Sequence, residues 1–321
     1  MPSPICLIVN PTAGGGRAAR LAPAMESALR GRGLAVRRVD SRDVDHAREL
    51  ARDAARTGET VAVLSGDGLL GVVADELREI PGSLLAVLPG GRGNDLARVL
   101  EIPDDPAAAC ETVLSGRRRQ LDLGVVSALH GEDRGRAFVG IASAGFDSDA
   151  NRIANEAPAW LGGLVYAYGA LRALVSWRPA RFELELDSGE RHTASGYSVA
   201  VANSRAYGGG MFVAPEAMLD DGLLDIVVSE RTSKLRFLAN LPRVFKGTHV
   251  DLPEVRVFRA ASVTVSADRP FTMYADGDPI GELPVRVSTL PGAVTVITPA
   301  GGSAALGREP VADVDTTAAG A

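Results

Sequence analysis

The chain has 321 residues, of which 46% are hydrophobic and 23% charged, and its formal net charge is -6. This length favours two domains, and the acidic balance argues against a nucleic-acid-binding protein, which normally presents a basic face. The two cysteines lie far apart and the N-terminus has no signal-peptide pattern, which predicts a cytoplasmic protein. The sequence has no run of about 18 uninterrupted apolar residues, so no transmembrane segment is predicted.

The first predicted domain, residues 1–125, alternates short apolar runs with helical patterns. This alternation predicts a doubly wound, mostly parallel α/β sheet covered by helices. Ligands of such sheets bind where strands end, in the loops that lead into helices. The predicted strand–helix pairs are ICLIVN with residues 18–32, AVRRVD with 44–56, TVAVLS with 69–80, and SLLAVLP with 94–100.

The second predicted domain, residues 126–284, consists mainly of strand-like segments separated by turn signals such as DSGE, YGGG and DDG. It is predicted to be an antiparallel β-sandwich, interrupted by one helical insert over residues 151–177. Residues 285–300 can complete the first domain, and residues 301–321 have little to bury and are predicted to be a disordered tail. The strand edges allow a homodimer. The predicted strands are AFVGIAS, RFELELD, YSVAVAN, LLDIVVS, SVTVSA and VTVITP.

Three glycine-containing loops follow successive predicted strands of the first domain. Glycines let backbone amides approach phosphate oxygens, and a helix N-terminus favours an anion. Each loop alone is also compatible with an ordinary turn or helix cap. Together they predict a nucleotide phosphate site, because the carboxyl ends of parallel strands share one edge. The loops are Asn10-Pro11-Thr12-Ala13-Gly14-Gly15-Gly16-Arg17, Ser65-Gly66-Asp67-Gly68, and Pro89-Gly90-Gly91-Arg92-Gly93-Asn94-Asp95-Leu96-Ala97-Arg98.

A fourth loop, Asp276-Gly277-Asp278, lies between β segments of the second domain. Two carboxylates across a glycine turn can divide proton transfer and metal binding between them. A solvated Asp-Gly hairpin is the simpler explanation of the same residues. Asp122, at the domain junction, is a further metal candidate.

Read in order, these loops resemble the diacylglycerol kinase catalytic family, which includes bacterial lipid kinases and, more distantly, sphingosine kinases. The resemblance spans roughly residues 5–299. It covers Asn-Pro-x-Ser/Ala-Gly, Gly-Gly-Asp-Gly-Thr, Pro-x-Gly-Thr-x-Asn-Asp-x-Ala-Arg and Asp-Gly-Glu motifs. It continues in Tyr207-Gly208-Gly209-Gly210-Met211 and in the segment from Asp220 to Asp225.

The resemblance implies an ATP-dependent and Mg2+-dependent kinase that phosphorylates a lipid hydroxyl, most simply that of diacylglycerol, in a cleft between the two domains. Peripheral contact with a membrane surface is expected. Asp276 is the predicted general base, Asp147 the predicted substrate contact, and Asp220, Leu223 and Asp225 a predicted structural metal site. The predicted magnesium ligands are Asp67, Asp95, Asp122 and Asp278. The predicted ATP contacts are Asn10, Pro11, Thr12, Gly14, Arg17, Gly66, Asp67, Gly68, Gly91, Arg92, Asn94, Asp95 and Arg98.

Four positions depart from the family pattern: Ser65 replaces a glycine, Leu69 and Arg92 replace threonines, and Asp278 replaces a glutamate. Lost threonine hydroxyls put nucleotide preference in doubt, and Arg92 can supply a phosphate contact instead. Two alternatives therefore stay open. One is an NAD kinase-like enzyme, which shares a Gly-Asp-Gly loop but should lack the third motif and the Gly-Gly-Gly-Met stretch. The other is a nucleotide- or lipid-binding regulator without catalysis.

Overall fold

The computed structural model describes residues 3–129, 134–146, 148–150, 153, 168–169, 172–174 and 177–309. The chain divides into two compact units, one of Met1–Asp122 with Pro291–Ala321 and the other of Leu123–Leu290. In the described part of the chain no helix is both long enough and apolar enough to cross a membrane.

The first unit is built on a parallel sheet. In space its strands follow the order β15–β4–β3–β1–β2, and every adjacent pair is parallel. All five residues of β1 are buried, as expected for a strand covered on both faces. The strands are β1 Ile5–Val9, β2 Val36–Asp40, β3 Thr60–Ser65, β4 Leu84–Pro89 and β15 Val285–Thr298; the helices are α1 Ala13–Gly31, α2 Val44–Arg56, α3 Asp67–Leu77, α4 Asp95–Val99 and α5 Pro106–Ser115.

Local sequence explains where α2 begins and which face it buries. The Asp43 side chain accepts a hydrogen bond from the His46 amide at 2.8 Å, so it caps the helix N-terminus. Ala47, Ala51 and Ala54 are fully buried and lie on one helical face at spacings of four and three residues. Small side chains on that face let the helix pack close to its neighbours.

The last strand returns to the first unit. Residues Thr295–Ile297 of β15 pair in parallel with residues Leu84–Ala86 of β4. The segment VTVITP therefore belongs to the parallel sheet; the sequence analysis grouped it with the antiparallel strands but also allowed residues 285–300 to complete the first domain. Residues 301–309, which the sequence places in a disordered tail, also pack on this unit. Ala305 is 1% exposed, and the Ser303 hydroxyl donates to the Val99 carbonyl at 2.5 Å.

The second unit is antiparallel, which confirms the predicted β-rich domain. β14, β13, β7, β9, β8, β12 and the first half of β15 follow one another, β10 pairs with β9 and β11, and β6 pairs with β5. The strands are β5 Arg117–Ala128, β6 Arg136–Phe138, β7 Ile141–Gly145, β8 Ala180–Leu186, β9 Arg191–Ala202, β10 Leu224–Glu230, β11 Val255–Ala260, β12 Ser262–Ala267, β13 Thr272–Ala275 and β14 Asp278–Glu282. One helix, α6 Lys234–Val244, and a 3-10 turn, Thr248–Asp251, follow β10.

Aromatic side chains fill much of the core of this unit. The Tyr197 and Phe237 rings stack with centroids 4.1 Å apart, and Phe146 meets Phe237 edge-on at 4.9 Å. Phe237 is the residue through which α6 reaches this core. The rings therefore fix the inner face of α6 against the sheet.

Two features of this unit differ from the sequence prediction. AFVGIAS was predicted as one strand, but the chain turns at Val139 and Gly140 between β6 and β7. No helix was predicted after β10, because the segment that forms α6 contains a proline and carries apolar residues around more than half of the helix circumference. The predicted insert, residues 151–177, lies largely outside the described residues.

Candidate active site

The second and third glycine loops touch through their backbones. A Cβ atom added to Gly91 would lie 2.4 Å from the Gly66 Cα, so a side chain at Gly91 cannot fit without displacing backbone. The Gly90 amide donates to the Ser65 carbonyl at 2.9 Å and ties the two loops together. Ser65 is buried, so the serine that replaces the family's glycine faces the interior. Glycine at these positions is required by close approach.

The first loop joins the same group. A Cβ atom on Gly14 would lie 2.6 Å from the Gly90 carbonyl oxygen, and Gly14 has a left-handed φ of 59°. The Asn10 side-chain oxygen accepts from the amide and the hydroxyl of Thr12, at 3.2 and 2.9 Å, and so shapes the turn after β1. Arg17 donates to the Gly91 carbonyl at 3.4 Å. All three predicted loops therefore meet in the first unit.

Asp67 joins the second loop to the third. Its two carboxylate oxygens accept from the amides of Asp95 and Leu96, at 3.0 and 2.9 Å, and so cap the short helix α4. Asn94 is buried with a left-handed φ of 50°, and its side-chain oxygen accepts from the Gly91 amide at 2.7 Å. These contacts fix the third loop, and they are roles that its motif did not predict.

The charged side chains of the third loop differ in their exposure to solvent. Asp95 is buried and forms an ion pair with Arg98 at 2.5 Å. Arg92 is exposed, while Leu69, which stands where the family has threonine, is buried in α3. Pro11 and Gly68 are half-buried within their loops. The loops thus present glycine backbone and three guanidinium groups, those of Arg17, Arg92 and Arg98, which suits a polyphosphate.

The predicted magnesium ligands do not form a ready-made metal cage. Across the described ranges, no three His, Cys, Asp or Glu side chains are placed to hold a metal ion together. Asp122 is fully buried and accepts from the Gly292 amide at 2.7 Å and from Arg308 at 3.1 Å. It therefore serves as an internal anchor for the returning strand, which argues against its predicted role as a metal ligand.

Asp95 is already paired with Arg98, but Asp67 fits magnesium of the kind that arrives with a nucleotide. Such an ion keeps several waters and takes only one or two carboxylates besides the phosphates. A carboxylate has about four lone-pair directions, and the two amide contacts of Asp67 use two of them.

In the second unit, Asp276 is held in a fixed position. Asp276 and Gly277 form the two-residue turn between β13 and β14, with φ values of 51° and 96°. This is the hairpin predicted as the simpler explanation, but the carboxylate is not merely solvated. Its oxygens accept from the amides of Val139 and Gly140, both at 2.9 Å.

Two residues missed by the sequence analysis build this frame. A Cβ atom on Gly140 would lie 2.4 Å from the Asp276 Oδ1 atom, so a side chain there would push the carboxylate aside. Asn203 is buried. Its side-chain nitrogen donates to the Val139 carbonyl at 3.0 Å, and its backbone amide donates to the Gly140 carbonyl at 3.0 Å. The β6–β7 turn is thus hydrogen-bonded both to Asp276 and to Asn203. No short motif marks it, because its partners are distant in sequence.

Asp278 lies two residues beyond Asp276, at the start of β14. The residue is exposed overall, yet nearby chain partly desolvates its carboxyl and raises its pKa, an effect that Arg136 partly offsets. Arg136 also donates to the Pro279 carbonyl at 2.9 Å. Asp278 thus remains a free-standing carboxylate beside the turn rather than part of a metal cluster.

The predicted structural metal loop is occupied by a guanidinium. Arg259 forms ion pairs with Asp221 and, at 3.5 Å, with the buried Asp225. Burial raises the pKa of Asp225 to about 6, while Arg259 lowers it. Asp220 is buried, and the Leu223 amide donates to Asp221 at 3.0 Å. The sequence analysis missed Arg259 because it lies on the neighbouring strand β11.

Asp147, the predicted substrate contact, lies outside the described residues. Its neighbour Phe146 is buried in the aromatic core.

Comparisons with known proteins agree with this arrangement. Residues 4–126 match the diacylglycerol kinase catalytic domain, and residues 140–298 match the YegS C-terminal NAD kinase beta sandwich-like domain. A diacylglycerol kinase of Mycobacterium tuberculosis (strain ATCC 25618 / H37Rv) is 35% identical over 92% of this chain and 95% of the relative. A diacylglycerol kinase of Bacillus subtilis (strain 168) is 28% identical over 80% of this chain and 82% of the relative.

Among solved structures, a diacylglycerol kinase from Bacillus anthracis str. Sterne is similar with a TM-score of 0.70 and 19% identity, covering 92% of this chain and 97% of that one. This likeness concerns the fold. The chain thus combines an α/β unit that carries converging glycine loops with an antiparallel β unit, and its family matches and relatives are those of a kinase family. The chain belongs to the diacylglycerol kinase family, which includes the bacterial lipid kinases.

Proposed function

We propose that this protein transfers the terminal phosphate of ATP to the hydroxyl of a lipid, with diacylglycerol or a closely related lipid as the acceptor. The observation that carries the proposal is the meeting of three glycine loops, whose backbones leave no room for side chains at Gly14 and Gly91. Their exposed surfaces are backbone and cations, which are the groups that polyphosphates bind.

In this proposal the first unit binds ATP. Arg17, Arg98 and Arg92 offset the phosphate charge, since phosphoryl transfer depends mainly on alignment and charge neutralisation. Asp67 would hold magnesium directly or through water, and the ion would neutralise charge on the phosphates. Asp95 would join it only by releasing Arg98. The fixed position of Asp67 supports this role, because its amide contacts orient the carboxylate before any ligand arrives.

Asp276 is proposed as the general base. As the lipid oxygen bonds to the terminal phosphorus and the bond to the ADP oxygen breaks, the hydroxyl proton passes to the carboxylate. The amides of Val139 and Gly140 donate to its two oxygens, both at 2.9 Å, and hold the carboxylate in one orientation. A base held in this way loses little orientational freedom on reaction.

The test offers magnesium and radiolabelled ATP to the protein with mixed-micelle diacylglycerol, other lipid alcohols, NAD, or water alone. We expect label in a lipid, with turnover reduced by about 10²-fold or more in Asp276→Asn. Asp268→Asn, an exposed aspartate of the same unit, is the matched control and should keep full activity.

The Asn side chain can replace only one of the two acceptor oxygens of Asp276, so the fold of Asp276→Asn needs a check. Isothermal titration with ATP provides it. Label in NAD alone would replace the proposal with NAD phosphorylation. Absence of transfer under all conditions, by protein that binds ATP, would leave a non-catalytic regulator. Wild-type turnover in Asp276→Asn would refute the assignment of the base.

A further inference from the structure

Helix α6 carries apolar side chains on its outer face as well as its inner one. At about 100° per residue, Phe237, Leu241 and Val244 face the sheet, and none of them is exposed. The solvent-facing side, which adjoins this inner face, carries Leu235, Leu238, Ala239, Pro242 and Phe245, all of them exposed. Leu235 is 82% exposed and Phe245 53%. A surface helix normally places polar residues there.

Cations surround this outer face. Residues 231–246 contain Arg231, Lys234, Arg236, Arg243 and Lys246 and no acidic residue, although the whole chain has a net charge of -6. Lys234 and Lys246 are the only two lysines among the 34 basic residues of the sequence, and they bracket the helix. Both are exposed. The charge of this segment is therefore opposite to that of the molecule.

We propose that the outer face of α6 docks on an anionic lipid surface. The helix has the composition of an interfacial helix, with an apolar stripe between basic flanks. Lysine suits this place because its long stem can lie along apolar surface while the ammonium stays at the headgroups. The inference rests on the proposed lipid kinase function, since a kinase of lipids must meet them in a membrane.

Packing on the inner side lets the helix keep its place while it docks. Phe237 lies in the aromatic core, and Arg236 holds Glu254 with contacts of 2.7 and 3.0 Å. The Ser233 side chain caps the N-terminus by accepting from the Arg236 amide at 3.2 Å. The outer side chains are not needed for these contacts, so they can be changed without unfolding the helix.

Sedimentation with large unilamellar vesicles tests the proposal. We expect binding to vesicles of phosphatidylglycerol with phosphatidylcholine, and little binding to phosphatidylcholine alone. The double variant Leu235→Ser, Leu238→Ser should have a vesicle partition coefficient lower by tenfold or more, since burying each leucine raises this coefficient by about tenfold. Lys234→Gln with Lys246→Gln should weaken it roughly tenfold or more on anionic vesicles and become less important in high salt.

Matched controls are available in the same unit. Leu129→Ser replaces a leucine that is 40% exposed, against 41% for Leu238. Arg181→Gln with Arg191→Gln removes two exposed cations from β8 and β9. Both controls should bind vesicles as the wild type does.

A site-specific probe reports the depth of docking. Cys6 and Cys110 are buried, and burial raises the pKa of each thiol to about 11, so an introduced Ala239→Cys would be the reactive thiol for labelling. An environment-sensitive fluorophore there should shift to the blue with anionic vesicles. Amine-reactive reagents should modify Lys234 and Lys246 more slowly in the same sample.

The outcomes separate the docking surface from the kinase. Unchanged vesicle binding in both α6 variants, or no blue shift, would overturn the docking proposal. A wild-type dimer in analytical ultracentrifugation that dissociates in the leucine variant, with vesicle binding unchanged, would assign the face to a second copy instead. Phosphorylation of short-chain diacylglycerol dispersed in detergent should be equal in the wild type and all variants. If no protein phosphorylated this lipid while vesicle binding stayed intact, the proposed kinase function would be refuted and the docking proposal would stand.

Discussion

Gly140→Ala tests whether the turn between β6 and β7 exists to hold Asp276. The added Cβ would lie 2.4 Å from the Asp276 Oδ1 atom, closer than any real contact, so the carboxylate must leave the two amides that it now accepts from at 2.9 Å. Hydrogen bonds to a charged group are worth about 1.5–3 kcal/mol each. Because Asp276 is only half-buried, we expect Gly140→Ala to lower the free energy of unfolding by about 2–4 kcal/mol.

The same change should reduce the turnover number by about 10²-fold, since a displaced base loses most of its contribution. Urea unfolding measures the first effect and transfer of label to lipid the second. Gly31→Ala is the control: no atom lies within 4 Å of its Cβ and its φ is not left-handed, so its effect should be under 1 kcal/mol in size.

A double-mutant cycle separates this mechanism from general damage to the turn. Asp276→Gly removes the carboxylate and suits the left-handed φ at that position. In this background Gly140→Ala should cost less than about 1 kcal/mol, because the clash has gone. An equal cost in both backgrounds would refute the reasoning.

Three further predictions concern other parts of the molecule. Gly91→Ala should abolish measurable ATP binding in a titration, because its Cβ would lie 2.4 Å from the Gly66 backbone; binding as tight as the wild type's would contradict the convergence of the loops. Asp67→Asn should lower the free energy of unfolding in urea by about 1–3 kcal/mol, since an amide can serve only one of the two α4 amides. Burial lowers the pKa of His249, so as the pH drops the unfolded state binds a proton before the folded state does, and stability should fall as the pH drops through about 6.5. Between pH 7.5 and 5.5 the urea midpoint of His249→Asn should change less than that of the wild type. Equal changes in the two proteins would show that His249 contributes nothing to this pH dependence.

The sequence by itself determined the architecture and the glycine loops. Alternating apolar runs and helical patterns specify a parallel sheet, and period-two segments such as RFELELD specify strands with one buried face, as the alternating burial of β8 shows. These are local signals, because they depend on residues a few positions apart. The position of each loop at a strand end follows from the same patterns, so the meeting of the three loops could be predicted.

Only the tertiary structure decided what the polar side chains do. Asp122, Asp67 and Asp225 looked alike as acidic residues beside turns, but Asp122 and Asp225 face arginines and Asp67 caps a helix. The partners of Asp122 are Gly292 and Arg308, which follow it by 170 and 186 residues. The two amides that hold Asp276 come from a turn more than 130 residues before it, and α6 shows an apolar outer face only once the sheet has covered its inner one. Each depends on residues brought together by folding, and no local pattern of side chains records such contacts.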